Sequence, residues 1–382
     1  MISYGKQYID SEDISAVRKV LQSNWLTQGP LINKFEFELK KYFGAKYCSV
    51  VSNGTAALHL AGLALGWEKG DIILTSPISF LATSNCILYS GATPDFIDID
   101  KTNYNIDINK LEERLKKLKF SSKKVVAVVA TDYAGNPCNW KALKKIALKY
   151  NIKLINDNCH AIGATYYKDK SYAVKYADIV THSYHPVKNI TTGEGGAILT
   201  NNKEIFKKIN TLRSHGIQKN TKKGLWHYEM HELGYNYRIS DIQCALGISQ
   251  LKKINKFIKR KREIAKLYDE QFSKNNIYKI PSVEKNYGHA YHLYPLQINF
   301  NKEREKRIFF KKLYDNKIKL QVHYIPIHLQ PYYKKNYGFQ KGDYPIAENF
   351  FKKEVSLPIY FSLKKKEIYR VINKIKFLLR DK

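Results

Sequence analysis

The run Thr181-His182-Ser183-Tyr184-His185-Pro186-Val187-Lys188, continuing into Asn189-Ile190-Thr191-Thr192-Gly193-Glu194-Gly195-Gly196, decides how this chain is read. Residues 179–183 have the composition of a short buried strand, and the glycines from Gly193 onward mark a turn. Lys188 thus follows a strand and precedes a glycine turn, unlike the many lysines that sit on helical patterns. A lysine held near an apolar sheet edge loses its proton more readily and can attack a carbonyl carbon. His182 and His185 flank it, but their spacing does not suit a metal site. Core, solvent or hydrogen-bonding roles suit each histidine taken separately.

Outward from that run, short β-branched stretches alternate with helical patterns. Strands are expected over 47–52, 72–75, 93–99, 125–130, 152–155 and 179–183, and helices over 55–65, 80–89, 108–118 and 140–150. Strands separated by helices imply crossover connections and a mostly parallel sheet covered on both faces. The pattern changes after residue 245. A long charge-studded helix over 242–268 is followed by strands near 291–298 and 319–323 and helices near 302–316 and 364–379. The expected fold class is α/β: a large three-layer domain over 1–245, then a linking helix and a smaller α+β domain over 246–382. No repeat and no Ser/Gly/Pro-rich linker separates the parts, so a broad interface between them is expected.

Charge is the outlying feature of composition. In 382 residues, 65 Lys+Arg against 34 Asp+Glu give a net charge of +31, which raises nucleic acid or an anionic membrane as a partner. The lysines are spread through the chain, however. Their densest block, 252–262, is interrupted by Ile254, Phe257 and Ile258 at the spacing of a helix with one buried face. A compositional bias acting at solvated positions accounts for the excess, and neither nucleic acid nor membrane is expected as a partner. The opening MISYGKQYID has no basic region followed by an apolar run, and no stretch approaches about 18 apolar residues. Cys48, Cys86, Cys138, Cys159 and Cys244 are isolated and odd in number, as in a reduced, cytoplasmic protein. No metal site is expected.

Two further points sit where an open α/β sheet places ligands. Ser52-Asn53-Gly54-Thr55-Ala56-Ala57 joins a strand to a helix, and its small side chains leave backbone N–H groups open to a phosphate. The same residues also make an ordinary helix cap. Asp157, in Asn156-Asp157-Asn158-Cys159-His160, ends an apolar strand. It can orient a positively charged ring nitrogen or simply cap the segment that follows. Together, a phosphate cradle, a strand-end acid and a strand-end lysine make a three-point holder for pyridoxal 5'-phosphate, with its phosphate at Thr55 and Ser183, its ring nitrogen at Asp157 and its carbonyl carbon at Lys188.

That assembly resembles the fold-type-I pyridoxal-phosphate enzymes, and more narrowly the DegT/DnrJ/EryC1/StrS family of sugar-nucleotide aminotransferases. The likeness runs over nearly the whole chain, through Gly29-Pro30, Phe35-Glu36, Asn53-Gly54-Thr55-Ala56-Ala57-Leu58, residues 181–196, Leu212-Arg213-Ser214-His215-Gly216 and Gly234-Tyr235-Asn236-Tyr237-Arg238. The resemblance implies that Gly54 and Thr55 contact the cofactor phosphate, with Phe80 near the ring. It implies that Asp157 holds the pyridine nitrogen and that His160 packs on the ring face, where many relatives have Gln. Ser183 would reach the phosphate and Lys188 would be the Schiff-base lysine. Asn236 would reach the phosphate of a neighbouring subunit's cofactor, which implies a homodimer with shared active sites. A turn role for Asn236 and a helix-anchoring role for Arg238 stand beside that reading. Because the lysine is present, transamination is expected over the family's dehydratase branch, where His replaces it.

The run Gln321-Val322-His323-Tyr324-Ile325-Pro326-Ile327-His328-Leu329-Gln330-Pro331-Tyr332-Tyr333 resembles the branch of the family that serves pseudaminic acid synthesis, as does Tyr4-Gly5-Lys6-Gln7. Lys6 stands where Arg is common, keeping the charge but losing planar bidentate geometry. The resemblance implies transfer of an amino group from L-glutamate to C4 of UDP-2-acetamido-2,6-dideoxy-β-L-arabino-hex-4-ulose. Tyr4, Lys6, His323, Tyr324 and His328 would face the UDP-linked 4-keto sugar. A strand and loop packing its aromatics between domains is the other reading of 323–333. Three alternatives stand beside this: a 4-aminotransferase for another UDP-, dTDP- or GDP-linked 4-keto-6-deoxyhexose, a nucleic-acid-binding protein, and a non-catalytic relative.

Overall fold

The computed structural model describes residues 1–119 and 124–380. Seven strands form the main sheet: β1 (Tyr47–Val51), β2 (Asp71–Thr75), β3 (Thr93–Phe96), β4 (Lys124–Thr131), β5 (Lys153–Asp157), β6 (Ile179–Ser183) and β7 (Gly196–Thr200). Their spatial order is β1-β7-β6-β5-β4-β2-β3. From β6 through β3 all neighbours are parallel, while β7 runs antiparallel to both β6 and β1. Sequence periodicity missed β7, whose three apolar residues Ala197, Ile198 and Leu199 follow a pair of glycines that read only as a turn. The glycine at its start is demanded by space, because a Cβ on Gly196 would lie 2.5 Å from the Asn53 carbonyl oxygen.

Helices cover both faces, as crossover connections require. On one face Leu58, Ile73, Ile87, Ile155 and Ile198 join one apolar cluster; on the other Phe35, Val50, Leu74, Val128, Trp140 and Leu154 join a second. The alternation within β4 shows the principle: Val128 and Ala130 enter one cluster, Ala127 and Val129 the other.

The expected linking helix forms as Asp241–Phe272, started by a capping box between Ser240 and Gln243. Its first half, through Ile248, Leu251, Ile254, Phe257 and Ile258, packs in the large core. Ile264, Ala265, Tyr268 and Phe272 pack in a separate core with Tyr294, Leu296, Val355 and Ile372. The two cores therefore divide inside this helix, between Ile258 and Ile264. Ile2 joins the second core, its N–H donating to Lys317 and its carbonyl accepting from Lys319, each at 2.8 Å.

The smaller core is built on a three-stranded sheet in which Tyr294–Ile298 lies between Tyr278–Lys279 and Glu354–Leu357. The strand expected over 319–323 does not form; only an isolated bridge from Gln321 to Ser356 is present. The reason is local. The N–H of Val322 bonds the side chain of Gln321, and the N–H of His323 bonds the side chain of Glu354, so neither enters a ladder.

Candidate active site

The carboxyl ends of β5 and β6 and the N-termini of two helices converge on a cavity of about 940 Å³. This is the crevice in which open parallel sheets bind ligands. One wall is the start of helix Gly54–Ala64, where the first N–H groups have no acceptor within the helix. Asn53 caps that helix by accepting from Ala56 N–H at 2.8 Å, which leaves the earlier N–H groups to the cavity. Gly54 has to be glycine here: a Cβ would lie 2.7 Å from the Cβ of Ser183, the other expected phosphate contact. Helix start, Thr55 hydroxyl and Ser183 hydroxyl thus share one corner, which suits a phosphate dianion.

Asp157 lies in the same cavity with both oxygens oriented. Oδ2 accepts from Thr83 Oγ1 at 2.6 Å and Oδ1 from Cys159 N–H at 3.2 Å. Two donors leave a carboxylate with unused acceptor capacity, as a cationic ring nitrogen requires. Thr83 carries no signal in the sequence that separates it from its neighbours, since Leu81–Tyr89 holds Thr83, Ser84 and Asn85 in a row and both hydroxyls are buried.

Lys188 sits in the loop between β6 and β7, which Tyr184 closes. Tyr184 N–H donates to Gly195 O at 2.8 Å, and its carbonyl accepts from Thr192 N–H at 3.0 Å and Thr191 Oγ1 at 2.9 Å. Next to Lys188, Asn189 is pinned by bonds to Ile162 O and Ala290 O and by Lys261 Nζ at 2.7 Å. Lys188 lines the cavity and its amine makes no hydrogen bond or ion pair among the described residues. Burial holds its pKa below the ordinary lysine value, although Cys159 and Asp157 pull the other way. An amine in that setting is available as nucleophile and base.

His160 and Tyr324 form one unit on the cavity wall. Ala134 N–H donates to His160 Nδ1 at 3.3 Å, so Nε2 carries the ring proton and faces the Tyr324 hydroxyl at 2.9 Å. The two rings stack, and His292 packs against His160 with ring centroids 4.5 Å apart. Burial, reinforced by Lys188, holds both histidines well below the ordinary imidazole pKa. His292 also lines the cavity and was not anticipated, since a lone His in Ala290-Tyr291-His292 carries no motif. Phe80, 56% exposed, covers part of the opening beside Tyr324.

Tyr4 and His323 complete the wall, with ring centroids 5.1 Å apart. Two residues expected to face the sugar do not line the cavity. Lys6 is exposed outside it. His328 is fully buried, its Nε2 bonded to Glu348 Oε1 at 3.0 Å under Tyr344; it is a packing residue joining two short helical segments. Asn236 is exposed and likewise lies outside this chain's cavity, paired through an isolated bridge with Ser214. The flanking motifs have structural work. Glu36 accepts from Val50 N–H and from Arg213, and Asp241 accepts from the N–H groups of Gly29 and Leu31.

A mixed seven-stranded sheet with a strand-end lysine, a strand-end carboxylate and a phosphate corner in one cavity defines a pyridoxal-phosphate-dependent aminotransferase of fold type I. Comparison with known proteins narrows the class. The family model for the DegT/DnrJ/EryC1/StrS aminotransferase family matches residues 7–376, and the chain belongs to that family. It is similar to the UDP-4-amino-4,6-dideoxy-N-acetyl-beta-L-altrosamine transaminase of Campylobacter jejuni, 41% identical with 98% of this chain and 99% of that one covered. Among solved structures it resembles Helicobacter pylori PseC, an aminotransferase involved in the biosynthesis of pseudaminic acid (TM-score 0.91, 32% identity, 100% of both chains). It also resembles the PLP-form of the putative sugar aminotransferase Spr1654 of Streptococcus pneumoniae (TM-score 0.92, 26% identity, 100% of this chain and 99% of that one). Among the described residues no helix is long and apolar enough to cross a membrane.

Proposed function

We propose that this aminotransferase moves the amino group of L-glutamate to C4 of UDP-2-acetamido-2,6-dideoxy-β-L-arabino-hex-4-ulose. The product is UDP-4-amino-4,6-dideoxy-N-acetyl-β-L-altrosamine, a precursor of pseudaminic acid and hence of flagellin or surface-glycan decoration. The observation that carries the reaction class is the unpartnered amine of Lys188 in the same cavity as Asp157. The substrate rests on the names of the relatives from Campylobacter jejuni and Helicobacter pylori.

Bound pyridoxal phosphate supplies an electron sink for the bond broken at the amino acid Cα. The chain's own groups do the rest. The start of helix Gly54–Ala64, Thr55 and Ser183 would hold the phosphate, and Asp157 would keep the ring nitrogen protonated. Lys188 would hold and move the proton at the donor's Cα and, in the second half-reaction, at the sugar C4. Its lowered pKa makes the neutral amine, the form that accepts that proton, easier to reach near neutrality. His160 would pack against one ring face, and Tyr4, His323 and Tyr324 line the wall that would face the sugar.

The working unit we propose is a homodimer in the cytoplasm. In support, the five cysteines are unpaired and buried. The hairpin of Ile217–Lys219 and Tyr228–Met230 projects Leu225 and Trp226, and Leu233 follows it near the exposed Asn236, all three at 77–90% exposure. A two-stranded hairpin is marginal alone and is expected to be covered by a partner.

Assay with glutamate against matched UDP- and dTDP-linked 4-keto sugars tests the substrate; turnover confined to the dTDP sugar overturns it. Borohydride reduction and peptide mapping should place the cofactor on Lys188, and Lys188→Ala should lose both the visible absorbance of lysine-bound pyridoxal phosphate and both half-reactions. Mixing Lys188→Ala subunits with Asn236→Asp subunits should restore activity if sites are shared, because one site of each mixed dimer then has both native residues.

A further inference from the structure

The smaller domain delivers a buried carboxylate to the back of the cavity wall. Glu354 and Ser356 stand two residues apart on strand Glu354–Leu357, so both side chains leave the same face. Ser356 Oγ donates to Glu354 Oε1 at 2.5 Å, and His323 Nδ1 lies 2.8 Å from Ser356 Oγ. The remaining carboxylate oxygen, Oε2, accepts from the backbone N–H of His323 at 2.9 Å. Glu354 and Ser356 are fully buried and His323 is 6% exposed. The nearest cation, Lys306, donates to Phe351 O at 2.6 Å and makes no direct ion pair with Glu354 among the described residues. An interior carboxylate is costly to keep ionised, and a well-packed apolar residue would serve stability as well or better. Both of its oxygens are instead directed at one histidine and its hydroxyl neighbour.

Hydrogen counting fixes what that histidine presents. Burial, with Lys188 nearby, holds His323 far below the ordinary imidazole pKa, to about 3, so the ring is neutral and carries one N–H. Burial raises the pKa of Glu354, so the count applies at a pH where it is ionised: Ser356 has one hydrogen, and the ionised carboxylate can only accept it. Ser356 Oγ must then accept from His323, which places the ring proton on Nδ1. Nε2 makes no hydrogen bond among the described residues, on a residue that lines the cavity.

We propose that Glu354 and Ser356 are positioning residues that lock His323 as its Nδ1–H tautomer, so that Nε2 enters the cavity as a hydrogen-bond acceptor for an O–H or N–H of the bound sugar. The tautomer stands on the chain's own contacts; the identity of the ligand group rests on the proposed reaction. The neighbouring Tyr324 has the opposite polarity, because its oxygen already accepts from His160 and its hydrogen is free to be donated. Adjacent residues thereby offer one acceptor and one donor.

The test is the ¹⁵N spectrum of histidine-labelled holoenzyme at pH 8, with His323→Gln for assignment, since burial raises the pKa of Glu354 and the count holds for its ionised form. Wild type should show the Nδ1–H pattern. In Glu354→Gln the amide oxygen keeps the His323 N–H while the NH₂ donates to Ser356. The serine hydrogen then turns to Nδ1 and the tautomer inverts to Nε2–H. KM for the keto sugar should rise about tenfold, the loss of roughly one hydrogen bond, with kcat for the glutamate half-reaction unchanged. Ser356→Ala, a smaller change that keeps the fold accessible, should give mixed tautomers and an intermediate KM. Sugars bearing acetamido or hydroxyl at C2 distinguish an N–H from an O–H donor by which of them loses affinity in the variants. A wild-type Nε2–H or cationic pattern overturns the proposal, as does a spectrum that neither variant changes. An inverted tautomer with unchanged KM overturns its substrate half. If the keto sugar is no substrate at all, the reaction assignment fails while the spectra still decide the tautomer.

Discussion

Two aspartates stand side by side at the ends of neighbouring strands and do different things. Asp132 follows β4, and Asp157 ends β5, where Thr131 and Asp157 are register partners. Asp132 is fully buried and accepts five hydrogen bonds, from Cys138 N–H, Trp140 Nε1, Asn156 Nδ2, Asn158 Nδ2 and Tyr172 Oη, at 2.7–3.2 Å. Asp157 accepts two and opens on the cavity. Burial raises the pKa of Asp132, and its donors oppose that rise. A carboxylate saturated by the fold is a structural joint. One left with spare acceptor capacity beside a cavity is poised for a ligand. Counting donors, more than counting burial, separates the two.

The largest effect expected from breaking this contrast is at the saturated site. Asp132→Ala strands five donors, each worth about 1–3 kcal/mol when left unpaired in the interior. Even with partial relaxation the loss should exceed about 4 kcal/mol, a large share of the 5–15 kcal/mol available to a folded domain. Urea unfolding or soluble yield measures it; near-normal stability would mean the network is not a joint. Asp157→Asn should do the reverse. The amide oxygen can keep the Cys159 N–H while its NH₂ donates to Thr83 Oγ1, whose hydroxyl can accept, so stability should change by less than about 1 kcal/mol. The rate should fall on the order of 10²–10³-fold, as when one preorganised electrostatic group is removed from a reacting centre. Equal losses in both variants, in either readout, would erase the distinction. Thr83→Val is the finer cut. It deletes the 2.6 Å bond that orients Asp157 and should weaken cofactor retention about tenfold, measurable by dialysis against dilute pyridoxal phosphate.

This contrast also marks where the sequence was legible. The alternation of apolar runs and helices placed six of the seven main-sheet strands to within a few residues, because parallel strands buried on both faces read as unbroken apolar runs. The seventh hid behind Gly195-Gly196, and the strand expected at 319–323 was unmade by side-chain acceptors that no periodicity records. At the site, Asp132 and Asp157 are equally strand-end acids in the sequence. Asp157 reads as the acid ending an apolar strand and Asp132 was not weighed, since the five donors around Asp132 come from segments up to forty residues away in the chain. Thr83, His292, Glu354 and Ser356 escaped for the same reason: each acquires its role from one distant contact. His328 shows the converse error, a motif histidine claimed by Glu348.

The lysines repeat the comparison with opposite charge. Lys188 opens on the cavity without a partner, whereas Lys261 is buried behind it and donates to Asn189 Oδ1 at 2.7 Å. Burial, aided by repulsion from Lys188, brings the pKa of Lys261 down to about 7. In the unfolded chain that lysine titrates near 10.4. Between about pH 7 and pH 10 the unfolded state therefore binds a proton that the folded state does not, and stability rises with pH across that window. Below it, both states are protonated and the full cost of the buried charge is present. Lys261→Met removes this slope but leaves Asn189 Oδ1 unpaired, a fixed loss of about 1–3 kcal/mol. The two curves should cross: the variant is more stable than wild type at pH 6 and less stable at pH 10, by about 1–2 kcal/mol at each end. Thermal midpoints of the two proteins across that range read the crossing directly. Parallel curves would mean that Lys261 stays charged in the folded protein, and that the sealed lysine, unlike the sealed aspartate, has found solvent.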